Sequence, residues 1–192
     1  MPTGLTPLDI VNRAIDLIGN NQAPVTGTYP NFDTSTAGIA AKILYPGVVQ
    51  TIMRQFAWDF GRSKPTVLVV TGNTPPPQWA FEYTYPADGL EIRQVMPTTI
   101  VDANDPVPVN WTVGNVLVTS TPTKVIWTNQ ASALCVYSNQ PPPSIWDAGF
   151  TEAVVRLLAS EMAMAIPGRP DVSQKMLESA QGFEALAEGI DG

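Results

Sequence analysis

The spacing of apolar residues changes twice along this chain, and that change limits the folds open to it. Residues 6–19, 35–56 and 144–190 place apolar side chains every three or four positions, which is typical of amphipathic helices, and residues 20–33 between the first two form a predicted loop. Residues 65–138 instead contain six short runs of β-branched and aromatic residues, separated by turn-forming segments such as TGNTPPPQ and PADG. The predicted order is therefore two helices, an antiparallel β region and two more helices.

Local signals mark the ends of the predicted helices. Thr6 is a predicted N-cap, and Gly19 stops the first helix. The second helix is predicted over residues 35–56. Ser144, three residues before Asp147, resembles a capping box and predicts where the third helix begins. The fourth follows the PGRP turn.

Each helix carries an apolar stripe, and neither pair of helices can bury its stripes alone. We therefore predict an α+β fold in which two N-terminal and two C-terminal helices form a four-helix bundle. An antiparallel β-rich insertion lies between the second and third helices. The predicted domains are the helical bundle, residues 1–64 and 144–192, and the antiparallel β subdomain, residues 65–143. Alternation within residues 79–85 predicts aromatic side chains facing the core and Glu82 facing solvent.

The composition argues against several classes of enzyme. The chain has no histidine, the commonest general base and metal ligand, and no nucleotide, metal or nucleophile motif occurs. Its one cysteine, Cys135, lies in the apolar run ALCVY and is predicted to be a buried hydrophobic residue. Asp102 and Asp105 stand in the turn-forming string VDANDPVP, where capping a turn explains them better than acid–base catalysis. We predict no enzymatic activity and no cofactor or metal.

The net charge of −7, from 10 basic and 17 acidic residues, makes nucleic acid and membrane surfaces poor partners. No basic stripe occurs, so duplex binding by neutralisation of phosphates is disfavoured. The most apolar helical segment, residues 153–166, is too short to span a bilayer and contains Arg156 and Glu161.

Three alternating aromatic residues, Phe56, Trp58 and Phe60, occupy the junction between the second helix and the β region, and Arg62 and Lys64 follow them. Aromatic rings can stack on single-stranded nucleic acid when they line a basic groove, but few cations are nearby. Core packing is the favoured interpretation. We predict a structural hinge in which the aromatic residues wedge the first strand against the bundle.

The fourth predicted helix carries apolar residues almost to the last residue of the sequence, where chains usually fray unless they are docked. Residues this late in the helix are candidates for contact with another protein. The alternative is that the whole stripe packs on the third helix. The candidate interface residues are Met176, Phe183, Leu186 and Ile190.

Four segments, in this order, resemble the head-to-tail adaptor proteins of tailed bacteriophages, the tail tubular protein A type. The first is LDIVNRAIDLIG. The second, YPGVVQTIMRQFAWDFGRSK, is similar to a tyrosine-led helix followed by an aromatic-Trp-aromatic string and an arginine. The third, WAFEYTYPADGLEIRQV, is similar to the family's aromatic strand, turn and second strand. The fourth, PPPSIWDAGFTEAVVRLLASEMA, is similar to its return to helix. The resemblance covers nearly the whole chain.

The resemblance implies a structural virion protein of the neck or tail, made in the cytoplasm of the host bacterium. Such adaptors form a ring, dodecameric in the family, beneath the portal, and they extend the DNA channel. The implied partners are the portal protein, a tail or nozzle protein and further copies of the chain. Duplex DNA passes without specific binding, and the C-terminal helix faces the portal. Two alternatives stay open: another neck or tail protein such as a tail terminator, or a β-rich ligand-binding module with a helical cap.

Overall fold

The computed structural model describes residues 4–19, 23–99, 109–118, 120–166 and 170–191, with side chains in the last range described over 171–185. The chain divides into two compact units. The helical unit comprises residues 1–61 and 140–192, and the β unit comprises residues 62–139.

The first helix, α1 (Pro7–Ile18), has the end signals predicted from the sequence. The Thr6 hydroxyl accepts a hydrogen bond from the backbone N–H of Asp9, and the Asp9 carboxylate accepts one from the Thr6 backbone N–H at 2.8 Å. Gly19 ends the helix with a φ of 64°, a left-handed conformation that costs glycine little. The buried face consists of Ile10, Val11, Ala14, Ile15 and Ile18.

A small hairpin precedes the second helix, in a segment whose sequence shows only turn signals. Its strands, β1 (Gly27–Thr28) and β2 (Asn31–Phe32), are too short for alternation to appear in the sequence. The second helix, α2 (Thr36–Gln55), begins after Ser35, whose hydroxyl accepts a hydrogen bond from the Gly38 N–H at 3.0 Å. The predicted start of this helix is therefore confirmed.

The C-terminal helices are α3 (Ala148–Ala165) and α4 (Pro170–Asp191). The predicted capping box at Ser144 is wrong. Ser144 lies in a separate 3₁₀ turn, Pro143–Ile145, and Asp147 occupies the N-cap position of α3. The residues that were expected to begin the helix form this short turn instead, and α3 begins at Ala148.

The predicted four-helix bundle with a single β insertion is wrong. Among the described residues, α3 packs against α1, α2 and α4, whereas α1 and α2 touch each other little and α4 packs chiefly on α3. Strands also lie between α1 and α2, and the described strands form three separate antiparallel sheets. The physical reason lies in α3, which buries side chains on more than one face and so takes the centre. The buried residues of α3 are Phe150, Thr151, Ala153, Val154, Val155, Leu158, Ala159, Ser160, Met162 and Ala163.

Each of the six predicted β runs overlaps a strand, although most bounds differ by several residues. In chain order the strands are β3 (Thr66–Val67), β4 (Phe81–Thr84), β5 (Glu91–Pro97), β6 (Trp111–Val118), β7 (Thr121–Thr128) and β8 (Ala133–Ser138). They form two three-stranded antiparallel sheets, in the orders β3-β8-β5 and β4-β7-β6.

Residues 66–71 hold the two larger sheets around one core. At one end, the Leu68 N–H donates to the Ala133 carbonyl at 2.9 Å, which continues the pairing of β3 with β8. At the other end, the Thr84 N–H donates to the Val69 carbonyl at 2.8 Å, so the same segment also borders β4. The enclosed core consists of Leu68, Tyr83, Ile92, Val95, Ile126, Ala133, Cys135 and Tyr137.

Candidate functional site

The aromatic residues at the end of α2 form a closed cluster inside the helical unit. Trp58 is only 1% exposed. Its ring centroid lies 5.3 Å from that of Phe56, 6.0 Å from that of Phe60 and 5.0 Å from that of Phe150. With its ring covered, Trp58 offers no open face on which a base or a ligand could stack.

The end of α2 explains how Trp58 reaches this position. Phe56 is extended, with φ −133° and ψ 159°, and a 3₁₀ turn over Asp59–Gly61 follows. The chain thereby folds back, and the Trp58 indole N–H donates to the Ile52 carbonyl at 3.0 Å. Carbonyl groups in the last turn of a helix lack partners within the helix, so the indole completes the end of α2.

The fourth segment of the resemblance supplies the other side of this cluster. Phe150, in the first turn of α3, is fully buried. Its ring lies 4.9 Å from that of Phe60 and 4.8 Å from that of Trp146, in edge-on geometry that aromatic rings favour. The predicted burial of Trp58 is confirmed, while the hinge role of Phe56, Trp58 and Phe60 stays a prediction.

The candidate interface residues of α4 have different environments. Met176 is buried, on the helix that packs along α3. Phe183 is half-buried, and the Arg156 guanidinium of α3 lies 4.5 Å from its ring centroid, within the range of a cation–π contact. Leu186 and Ile190 lie in the helix, but their side chains are outside the described residues. The portal contact of these four residues stays a prediction.

The predicted turn carboxylates, Asp102 and Asp105, lie outside the described residues. Arg62 and Lys64 are exposed in the segment that leads into β3. Cys135 is fully buried, as predicted. Burial, with a smaller contribution from the negative charge of Asp88, raises the pKa of the Cys135 thiol to about 11, so the thiol is protonated and unreactive at neutral pH.

The β unit contains a polar site that the sequence reasoning missed. Glu82, predicted to face solvent, is only 1% exposed. Its Oε1 atom accepts hydrogen bonds from the Thr71 hydroxyl at 2.7 Å and the Asn73 amide at 2.8 Å. Its Oε2 atom accepts one from the Trp127 indole N–H at 2.8 Å. The carboxylate therefore joins residues 71–73, β4 and β7.

A glycine on β6 makes room for this arrangement. Trp127 lies directly opposite Glu82 in the register of β4 and β7. A Cβ atom added to Gly114 would lie 2.3 Å from the Trp127 ring, so only glycine lets the indole lie across β6. The available sequence signal was Gly114 itself, because a glycine inside a strand often marks a close approach of another group.

The electrostatics of Glu82 indicate a structural role. Burial acts to raise its pKa, but the hydrogen bonds from Trp127, Asn73 and Thr71 together outweigh that effect, so the pKa is lowered. The carboxylate is charged at neutral pH, and all its described hydrogen-bond partners are donors. It therefore links the strands by hydrogen bonds and does not act as an acid or a base.

Neither a metal-binding group nor a membrane-spanning helix occurs in the described part of the chain. Within these ranges, no group of three or more cysteine, aspartate or glutamate side chains could hold a metal ion. None of the helices in the described part of the chain is long and apolar enough to cross a membrane.

Comparison with models of known protein families finds no match, and comparison with curated proteins finds none either.

Proposed function

We propose that this chain is a structural subunit of a bacteriophage neck, forming the adaptor ring that joins the portal to the tail and extends the DNA channel. The observation that carries the proposal is the aromatic cluster. Trp58 and Phe60, from the second segment that resembles the adaptor family, pack directly on Phe150 and Trp146, from the fourth. Two segments that each resemble the family thus pack into one core, as expected if the chain shares the fold of that family.

The surface of α2 supports assembly into a ring. Ile39 and Ile43 lie one helical turn apart, and both are largely exposed. Two large aliphatic side chains side by side on a helix are a poor surface for an isolated subunit and suit burial against a neighbour. Head-to-tail contacts between identical subunits form a ring when the rotation between neighbours closes, and a closed ring is the assembly proposed here.

The charge of the helical unit suits a channel through which DNA slides. Residues 1–61 and 140–192 contain six basic and twelve acidic residues, a net charge of −6. A basic lumen would hold the phosphates of duplex DNA, whereas an acidic one repels them and allows passage.

The burial pattern of α4 narrows the proposed portal contact. Because Met176 is buried within the chain and Phe183 is partly covered by Arg156, the remaining candidates for contact are Leu186 and Ile190. We assign the portal contact mainly to residues 186–192.

The test mixes the purified chain with portal rings from the same genome and images the particles by negative-stain electron microscopy. We expect a dodecameric ring seated on the portal. A chain that never forms rings and never binds portals would contradict the proposal. Binding to another tail component instead would favour the tail-terminator alternative, and a small particle that binds a ligand would favour the binding module.

A truncation tests the assignment within α4. Deleting residues 186–192 keeps the contact between Phe183 and Arg156, so the helical circular dichroism should change little while portal binding is lost. Leu186→Ser combined with Ile190→Ser should act in the same way. Ile145→Ser, at an exposed isoleucine elsewhere in the helical unit, is the matched control and should bind normally. Portal binding by the truncated chain, or its outright unfolding, would refute the assignment.

A further inference from the structure

The strand β6 is an open sheet edge. It is the last strand in the order β4-β7-β6, and only β7 pairs with it among the described residues. An unpaired edge presents a row of backbone N–H and C=O groups that can pair with another strand.

Half of the β6–β7 hairpin extends beyond its sheet. In the part of the chain that the structure describes, the third strand, β4, pairs with residues 125–128 of β7. Within the described ranges, the pairs from Asn115 with Lys124 to Val118 with Thr121 have no third strand beside them, so they form a two-stranded arm. Two-stranded ribbons are marginally stable alone, and a third strand would stabilise the arm.

The β6 edge lacks the features that usually prevent strand pairing. Residues 109–118, VNWTVGNVLV, contain no charged residue and no proline. Leu117 is 74% exposed and Val113 is 40% exposed. Charged side chains, prolines and bulges are the common means by which proteins protect their edges.

One edge strand of the other large sheet, β5, has all of these protections. In β5, the Arg93 guanidinium lies 3.4 Å from the Glu91 carboxylate, and the strand ends at Pro97. Its register with β8 also shifts between Ile92 and Gln94. The contrast within one unit singles out β6 as the edge that can accept a strand.

The charge of the two units favours a second copy of this chain as the occupant. The β unit, residues 62–139, contains four basic and five acidic residues, a net charge of −1, against −6 for the helical unit. A contact between the β units of two copies therefore brings together less like charge than a contact between their helical units. The uncharged β6 brings no like charges together when it meets itself.

We propose that β6 pairs antiparallel with β6 of a second copy, about a two-fold axis at Asn115, so that two three-stranded sheets become one six-stranded sheet. This register sets Val113 opposite the partner's Leu117, and Leu117 opposite the partner's Val113. Residues directly opposite in an antiparallel pair lie on the same face with Cβ atoms about 4.5–5.5 Å apart, so two exposed apolar pairs cover each other. The contact is two-fold, unlike the head-to-tail contacts of a ring, and it does not rest on the proposed function.

Paired charge substitutions test both the partner and the register. Val113→Lys combined with Leu117→Lys sets lysine against lysine twice, and we expect the particle mass to fall by half, from a dimer to a single chain or from paired rings to a single ring. Val113→Lys combined with Leu117→Glu sets lysine against glutamate twice, and we expect the wild-type mass to return at low salt and fall at high salt. Masses are measured by sedimentation velocity over a range of protein concentrations.

The matched control is Val67→Lys combined with Val69→Lys. These valines are 64% and 67% exposed in the same unit, but their segment already borders β8 and β4, so the mass should stay that of wild type. Circular dichroism and thermal unfolding establish that each variant is folded. The proposal is refuted if the folded double-lysine variant keeps the wild-type mass, or if the folded lysine–glutamate variant has the mass of the double-lysine variant at low salt. Portal binding is a separate readout, so the two proposals can fail independently.

Discussion

Replacing Trp58 by alanine should destabilise the helical unit more than truncating any single aromatic residue of the β unit would. The substitution removes a ring that is 1% exposed and lies among Phe56, Phe60 and Phe150. It also removes the hydrogen bond from the indole to the Ile52 carbonyl. The end of α2 and the start of α3 both lose their shared packing partner.

The magnitude follows from the two losses. Truncating a fully buried tryptophan to alanine costs about 3–5 kcal/mol, because the apolar contacts disappear and a cavity stays behind. Leaving a buried carbonyl at the end of a helix without its hydrogen-bond donor costs about 1–3 kcal/mol of stability. Trp58→Phe separates the two effects, since it keeps a ring in the cluster but lacks the N–H group. We therefore expect Trp58→Phe to lower the free energy of unfolding by about 1–3 kcal/mol. We expect Trp58→Ala to lower it by an amount in the upper part of the range of about 3–5 kcal/mol.

The assay is urea unfolding followed by helical circular dichroism, because α1 to α4 all belong to the unit that contains Trp58. Trp79→Ala is the control: Trp79 is only half-buried and lies in the β unit, so its truncation should leave the helical transition nearly unchanged. Slopes of the transition should stay similar, so that midpoints report stability.

A loss of stability of less than about 0.5 kcal/mol on Trp58→Ala, within the range of ordinary surface substitutions, would refute the packing argument. So would a normally stable Trp58→Ala chain that has lost only partner binding, because the tryptophan would then belong to an interface rather than to the core.

Three further predictions concern the β unit and the charge of the chain. Glu82→Gln places a neutral amide among three hydrogen-bond donors and should lower the free energy of unfolding by about 1–3 kcal/mol at neutral pH. Because the pKa of Glu82 is lowered in the folded chain, the extra stability of wild type is present above the ordinary pKa of 4.5 and disappears as the pH falls through the folded pKa. Urea unfolding at several pH values measures this difference. Gly114→Ala should cost about 1–3 kcal/mol by forcing Trp127 aside, whereas Gly47→Ala, where a Cβ meets nothing, should not destabilise the chain; thermal unfolding compares the two. The isolated subunit should not shift random duplex DNA at moderate salt, and a strong, salt-sensitive shift would instead indicate that Arg62 and Lys64 bind phosphate.

Much of the candidate site was predictable because its signals are local. The alternation of Phe56, Trp58 and Phe60 after a helical segment indicated core packing, and Trp58 is indeed buried. The covering residue, Phe150, was not predictable, since nothing in its own segment specifies which distant ring it meets. Glu82 was missed for the same reason. Alternation assigned Glu82 to the polar face. Its charge can be buried because hydrogen bonds from Thr71, Asn73 and Trp127 offset the cost of removing it from water.

Local signals in the sequence specify where helices and strands form in most of the described chain. Caps such as Thr6, Gly19 and Ser35 act on backbone groups within a few residues, and the apolar period is set by the geometry of one element. Which elements touch depends instead on packing between distant parts of the chain. Any of the amphipathic helices could have packed in a bundle, and α3 took the centre because it buries side chains on several sides at once. The free edge of β6 was decided in the same way, since a strand's alternation predicts its two faces but not whether a neighbour lies beside it.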